Sequence, residues 1–184
     1  PLSDMLDALV CYDDLVCPDI CGNDTIFLHT DPSDNLHTLT ADFFKIYTAE
    51  GLKWFRDEVN SAATTEDTKI DAVLENDIDL EGEAWTPIAQ KSISIEGTEY
   101  GYCGTFDGNG HTISGLNVMG NFRCAGLFGV VTGATIKNLT VAGKVSSNDT
   151  LCKVGGIAGY ADSSTTENCT NWCTVTGSYY AGGI

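Results

Sequence analysis

The sequence predicts a mainly β protein, a β-solenoid similar to a parallel β-helix, preceded by an N-terminal α/β cap. The first observation is that the C-terminal half repeats itself, which is typical of stacked coils. The second is glycine, because 17 of the 20 glycines follow residue 96. The third is charge: residues 1–119 hold 23 acidic and 5 basic residues, whereas residues 120–184 hold 3 and 4. We therefore expect two architectures in one chain.

Three segments are expected along the chain. Residues 1–40 form an acidic, cysteine-containing extension without Lys or Arg, with a short helix from Ser3 to Val10 and a strand at Thr25 to Leu28. Residues 41–95 form a helix-containing cap, and residues 96–184 form solenoid repeats that stop in mid-repeat. The cap would cover strand edges that an open solenoid end exposes.

The helix of the cap is predicted from residue 48 to about residue 60. Thr48 is a favourable N-cap, and Leu52, Phe55 and Val59 lie on one helical face. After a polar loop, alternating apolar residues from Ile70 onwards predict a strand. This segment is therefore predicted to contain both an amphipathic helix and the first strand of the β region.

Two self-matches define the repeats. Residues 110–118 match residues 133–141 at five of nine positions, with an offset of 23. Residues 125–129 match residues 155–159, and the strands that follow also match, with an offset of 30. Residues 181–184 open the same glycine-rich element again. Short units of this kind cannot bury their own apolar face, so successive units must stack.

Each repeat alternates apolar and polar residues, which indicates strands. The apolar positions are Ile113, Leu116, Val118, Ile136, Leu139 and Val141. Residues 107–110 read Asp-Gly-Asn-Gly, a strong turn signal that fits a solenoid corner. An antiparallel sandwich with chance self-similarity is the alternative, since short strands and turns occur in both folds.

The last repeat resembles the GLUG motif of secreted and surface proteins. The similarity lies in Gly-Gly-Ile-Ala-Gly at 155–159, Glu-Asn-Cys at 167–169 and Val-Thr-Gly at 175–177. Leu139 replaces the motif's cysteine in the earlier unit, and Cys173 replaces a glycine. Upstream segments at 46–50, 76–80, 85–88 and 106–113 resemble the region that commonly precedes such repeats. The resemblance implies an adhesin-like, surface-displayed protein and assigns no catalytic residue.

The eight cysteines indicate an oxidised, secreted protein, with pairing that sequence does not define. The disulfide candidates are Cys11, Cys17, Cys21, Cys103, Cys124, Cys152, Cys169 and Cys173. A bridge from Cys124 to Cys152 is expected between adjacent coils, while Cys169 has the alternative of a buried free thiol. Glycosylation sequons occur at Asn23, Asn138, Asn148 and Asn168. The equivalent places of Asn138 and Asn168 favour a turn or ladder role.

No catalytic, cofactor or metal site is predicted. Asp77, Asp79, Glu81 and Glu83 alternate along a predicted strand, but they lack the pattern of a calcium loop and are expected to form a solvated face. His111 lies in a turn without a nucleophile motif. Ligand contact is instead expected from aromatic residues of the last repeat, which could stack on sugars or anchor a protein partner, with packing in the core as the alternative for each. They are Trp172, Tyr179 and Tyr180.

These features predict a non-enzymatic module, extracellular or on the cell surface, that binds a host or matrix glycan or protein, or acts as a rigid stalk. A subunit of a self-assembling extracellular filament, joined to copies of itself through an open C-terminal solenoid end, is one alternative. A polysaccharide-active solenoid enzyme with two carboxylates is another. A net charge of −17 excludes nucleic acid as a partner, because it repels the phosphate backbone. The sequence contains no apolar run long enough to predict a membrane span.

Overall fold

The structure is a computed structural model that describes residues 27–31, 35–39, 43–65, 67–90, 93–95 and 98–183. The predicted helix at Ser3 to Val10 and the start of the predicted strand at Thr25 lie outside these residues. The strand itself is present from Phe27. The described elements form a β-solenoid of about four turns with one helix, which confirms the predicted fold class.

The described residues contain eighteen strands and one helix. The strands are β1 Phe27–Asp31, β2 Asn35–Leu39, β3 Phe44–Ile46, β4 Ala72–Leu74, β5 Ile78–Asp79, β6 Ile93–Ile95, β7 Thr98–Tyr100, β8 Thr105–Asp107, β9 Thr112–Gly120, β10 Cys124–Ala125, β11 Phe128–Thr132, β12 Thr135–Lys137, β13 Thr140–Ser147, β14 Lys153–Val154, β15 Ala158–Asp162, β16 Thr165–Glu167, β17 Thr170–Thr176 and β18 Tyr180–Ala181. The helix, α1, is Ala49–Ser61 and lies between β3 and β4.

Four parallel ladders build the solenoid. Sheet A has the order β1-β2-β3-β4-β8-β12-β16, and sheet B has the order β5-β9-β13-β17. Sheet C pairs β11 with β15, and sheet D has the order β10-β14-β18. Only the β1-β2 and β2-β3 pairs of sheet A are antiparallel. We number the coils from the N-terminus: coil 1 is residues 72–90, coil 2 is 105–132, coil 3 is 135–162 and coil 4 is 165–183.

The register of the coils supports one self-match and corrects the other. Phe128 pairs with Ala158, as the 30-residue offset predicted. The 23-residue offset would stack Ile113 on Ile136, but Ile113 pairs with Val141 and Ile136 pairs with Phe106. The two matched segments are alike because each places an alternating strand after a glycine-containing corner. Similar local conformation therefore produced a match that hydrogen bonding between coils does not use.

The interior consists of stacked apolar side chains from successive coils. Phe106 and Ile136 occupy one inward column, and both are buried. The rings of Phe106 and Phe128 meet edge to face with centroids 5.3 Å apart, an arrangement that stabilises aromatic pairs beyond their burial. In coil 4 the same inward column ends at the exposed Thr166. This column is therefore apolar as far as coil 3 and polar in coil 4, where Cys169, Cys173 and Val175 still pack partly buried against the core.

Helix α1 covers the N-terminal end of this core. Thr48 caps it by accepting a hydrogen bond from the Gly51 amide, and Leu52, Phe55 and Val59 are buried, as the periodicity predicted. The Phe55 ring centroid lies 5.7 Å from that of Phe106 and 5.8 Å from that of Tyr102. The helix therefore packs its apolar face against aromatic side chains of coil 2 and of the segment that leads into it.

The parallel ladder begins before residue 96. Strand β3 pairs with β4, and β4 pairs with β8, so sheet A runs without interruption from the helical segment into the repeats. Between coils 1 and 2 the chain forms the antiparallel hairpin of β6 and β7. In the part of the chain that the structure describes, no helix is long and apolar enough to cross a membrane.

Gly143 shows why glycine is required where the coils approach closely. Strand β13 shifts register against β9 between Val141 and Gly143. Gly143 has φ +152°, and a Cβ there would lie 2.1 Å from the carbonyl oxygen of Leu116. Only a residue without a side chain fits at this irregularity.

Candidate functional site

The outer face of sheet B carries the most exposed aromatic side chain among the described residues. Burial alternates along β17, so that Thr170, Trp172, Thr174 and Thr176 face outward while the residues between them are partly covered. Trp172 is 71% exposed. The two-residue period of a strand therefore presents an indole among three threonines.

Small side chains beside Trp172 leave its ring open. In register with Trp172 on β13 is Ala142, and β9 places the irregularity around Gly115 on the same side. Trp172 forms no ring contact with any other aromatic residue of the described chain, and no cation lies over its ring there. The indole is thus a flat apolar surface that solvent reaches directly.

Polar columns lie on both sides of the indole. Thr112, Thr140 and Thr170 pair in register across three coils and form one column. Asn117, Lys144 and Thr174 form the other. The side-chain amide of Asn117 donates a hydrogen bond to the carbonyl oxygen of Gly82, 2.8 Å away. The outer face of sheet B therefore combines an aromatic surface with hydroxyl groups and one ammonium group.

Lys144 was not among the predicted site residues. It is exposed, and no carboxylate within the described ranges lies at ion-pair distance from its ammonium group. The 30-residue offset could have revealed it, because that offset aligns residue 144 with residue 174, two positions from Trp172. A search for aromatic residues alone missed the charge beside the indole.

The two predicted tyrosines lie away from sheet B, in β18 and in the loop before it. Tyr180 belongs to β18 and pairs in register with Lys153. Tyr179 and Tyr180 are 58% and 59% exposed, and their rings meet edge to face at 4.4 Å. They therefore form a second exposed aromatic pair, without a ring contact to Trp172.

The five cysteines in the described residues form no disulfide with one another. They are Cys103, Cys124, Cys152, Cys169 and Cys173. The expected bridge from Cys124 to Cys152 is therefore not formed in this structure, and the Cys152 thiol instead lies 3.4 Å from the Ser178 hydroxyl. Cys11, Cys17 and Cys21 lie outside the described residues.

Two cysteines of coil 4 take interior positions. Cys169 and Cys173 are partly buried against the core. Burial raises the pKa of the Cys173 thiol to about 11 and also raises the pKa of Cys169. Cys169 follows Asn168 in the same way that the buried Leu139 follows Asn138 in the preceding coil. Its position therefore agrees with the alternative that Cys169 is a small apolar residue of the stacked ladder.

An Asp-Asn-Asn ladder runs along the corner between sheets A and B. Asn168 donates through its side-chain amide to the side-chain oxygen of Asn138, 3.2 Å away. Asn138 donates in turn to the Asp107 carboxylate at 3.0 Å. Both asparagines have φ near +50°, a conformation that asparagine tolerates better than most residues. The two sequon positions thus serve a corner ladder in this fold.

The remaining sequons lie elsewhere. Asn148 is exposed in the loop after β13, where its backbone amide donates to the carbonyl oxygen of Gly120 at 2.9 Å. Asn23 lies outside the described residues. Of the described sequons, Asn148 is the one whose side chain lies outside the ladder.

The acidic string does not continue as a strand. Strand β5 ends at Asp79, and Glu81 adopts φ +54° in the turn that follows. All four carboxylate residues of the string are exposed. Asp77 accepts hydrogen bonds from the Thr112 amide at 2.8 Å and from the His111 ring at 3.2 Å, and these interactions lower its pKa. His111 therefore helps to join coils 1 and 2 through Asp77.

Lys53 of helix α1 binds the far end of the string. Its ammonium group lies 2.8 Å from the Glu83 carboxylate and also contacts Glu50. Within the described ranges, no three His, Cys, Asp or Glu side chains are grouped closely enough to hold a metal ion.

Comparison with known proteins gives one partial similarity. No protein-family model matches the chain, and no solved structure matches it. Halomucin from Haloquadratum walsbyi (strain DSM 16790 / HBSQ001) is 40% identical over 91 residues, which cover 47% of this chain and 1% of halomucin. The chain thus spans about one hundredth of the length of this relative. Both the solenoid fold and the similarity to halomucin are compatible with a surface module.

Proposed function

We propose that this chain is a non-enzymatic extracellular module that displays a binding face on a capped β-solenoid, in the manner of an adhesin. The observation that carries the proposal is the outer face of sheet B, where Trp172 is exposed on a scaffold of stacked coils. A rigid sheet holds such a side chain ready for a partner, which reduces the entropy lost on binding.

Two further lines support a location on the surface or outside the cell. The name of halomucin describes a mucin, and mucins are extracellular as a class. The GLUG-like elements of the last repeat also point to this class of protein, because that motif occurs in secreted and surface proteins. Both observations support a location for the protein, and neither identifies a ligand.

A filament subunit has less support than a binding module. Within the described residues, β16, β17 and β18 pair on one side only, which would permit strand addition. However, helix α1 covers the opposite end of the core. Repeated end-to-end stacking needs two complementary open ends. A rigid stalk remains compatible with the same fold.

A polysaccharide-active enzyme also has less support. Asp77 is held by Thr112 and His111, and Glu83 is held by Lys53. These carboxylates join structural elements of the solenoid.

The binding function is tested by immobilising the chain and measuring attachment of glycans, matrix proteins and surface proteins. We expect saturable binding to at least one class, with β-rich circular dichroism retained. A heat-unfolded sample is the control for nonspecific adsorption to an acidic protein. Absence of saturable binding across all classes would contradict the adhesin-like function.

A further inference from the structure

We propose that Trp172 and Lys144, with the threonines beside them, form a saccharide site that takes a pyranose carrying a carboxylate. This inference rests on the proposed binding function and specifies its ligand class. The site lies on the outer face of sheet B across coils 3 and 4, and it uses side chains that have no role in the core.

The strand register sets the separation between Trp172 and Lys144. Lys144 pairs in register with Thr174, which lies two residues beyond Trp172 on the same strand face. Neighbouring strands lie about 4.8 Å apart, and alternate side chains on a strand lie roughly 7 Å apart. The backbone positions of Trp172 and Lys144 are therefore about 8 Å apart. One sugar ring stacked on the indole would bring a substituent within reach of the flexible lysine.

The charge of Lys144 favours an anionic group on the ligand. Lys144 is exposed and has no carboxylate at ion-pair distance in the described part of the chain. Residues 120–184 carry a net charge of +1, in contrast to the strongly acidic residues before them. The exposed Asp79, Glu81 and Glu83 belong to coil 1, and coil 2 separates them from coil 3, which carries Lys144. Lys144 supplies a charge complementary to a single carboxylate.

The residues around Trp172 favour a saccharide over a protein partner. Hot-spot residues between proteins, Trp among them, lie near the centre of a contact surface whose other residues exclude water. Around Trp172 the neighbours are Thr170, Thr174, Ala142 and Lys144, on an open sheet. A single aromatic ring with hydroxyl groups on both sides instead matches a sugar, whose ring has an apolar face and a polar rim. The surroundings therefore favour a saccharide.

The test is binding of the complete chain to oligomers of galacturonate, glucuronate and mannuronate, each compared with its methyl ester. The ester keeps the sugar and removes the negative charge. We expect at least one acidic oligomer to bind two- to fivefold more tightly than its ester, as an exposed ion pair allows. The preference should decrease with added salt.

Variants separate the two side chains. Trp172→Ala should weaken binding of acid and ester alike by roughly tenfold, whereas Trp172→Tyr should retain part of the affinity. Lys144→Gln should abolish the preference for the acid and leave ester binding unchanged. Leu151→Ala, which removes another exposed apolar side chain, and Lys69→Gln, which removes an exposed charge before β4, are the matched controls.

Failure of the site can be told apart from failure of the function. If a saccharide binds and Trp172→Ala has no effect, the site is wrong and the binding function stands. If Trp172→Ala abolishes attachment of a protein while no acidic saccharide binds, the saccharide assignment is overturned. Equal affinity for acid and ester would overturn the role of Lys144. Thermal unfolding of every variant excludes loss of fold, since Trp172 and Lys144 are exposed.

Discussion

Asp107 anchors the corner ladder at its N-terminal end. Burial raises its pKa, but the hydrogen bonds from Asn138 and the Asn109 amide, together with Lys137, outweigh burial and lower the pKa below its usual value. The Lys137 ammonium group lies 3.2 Å from the carboxylate. The carboxylate therefore stabilises the fold in its charged form.

We expect Asp107→Ala to lower the free energy of unfolding by about 1–2 kcal/mol at pH 7, because it removes several hydrogen bonds to a charged group. Since the folded pKa is depressed, this contribution is present above the unfolded pKa of about 3.9 and is lost as pH falls through the folded value. Urea unfolding at pH 7 and pH 3 measures both effects. Asp107→Asn, which keeps an acceptor oxygen, should fall between wild type and Ala. A variant that loses as much stability at pH 3 as at pH 7 would contradict the role of the charge.

Cys173 should react slowly with thiol reagents in the folded protein. With a pKa of about 11, roughly one molecule in a thousand carries the reactive thiolate at pH 8. We expect labelling followed by peptide mass spectrometry to show slow modification of Cys173 in buffer and fast modification in urea. Cys173→Ser assigns the signal. Fast labelling of the folded protein, or a Cys173 disulfide in the purified protein, would contradict this expectation.

At the scale of elements, helix α1 and the aromatic residues of β3 and coil 2 stabilise each other. Phe55 is buried and contacts the rings of Phe44, Tyr102 and Phe106. Phe55→Ala should therefore cost about 3–5 kcal/mol, the usual cost of removing a buried aromatic side chain. Chemical denaturation measures the loss. Glu58→Ala, an exposed position on the same helix, is the control and should change stability by less than about 0.5 kcal/mol. A small effect of Phe55→Ala would show that the cap is dispensable.

Some elements are predictable from the sequence because local residues define them, and others are not. The helix was predictable because the N-cap and the apolar face are both local signals. Parallel pairing of β9 with β13 was predictable from the repeats. Its register was not, because two different sequence offsets gave similar matches. The outward position of Trp172 depended on which residues of β17 face the core. Alternation alone allows either set of alternate side chains to face the core. Packing of β17 against coil 3 selects the set that leaves Trp172 outside.

At the scale of the whole molecule, charge is distributed unevenly. A net charge of −17 destabilises a compact state through self-repulsion, which salt screens. We expect the melting temperature to rise between about 10 mM and 0.15 M salt, as the screening length falls from about 30 Å to 8 Å. Differential scanning calorimetry measures the change.

A matched variant tests this charge effect. Glu81 is exposed in the turn after β5. Glu81→Gln should raise the melting temperature at low salt and have little effect at 1 M. A melting temperature that falls as salt is added would contradict self-repulsion as the dominant electrostatic effect.

The sequence by itself determined the class of fold, the helix of the cap and most buried positions, because strand alternation, helical periodicity and glycine corners are local properties. Tertiary structure decided the rest: the register of β9 on β13, the packing of α1 on the aromatic core, the Asp-Asn-Asn ladder and the placement of Trp172 and Lys144 on one sheet face. These depend on hydrogen bonds and contacts between residues about 30 positions apart. Several alignments satisfy the local pattern equally well, and only the packing of complete coils selects one.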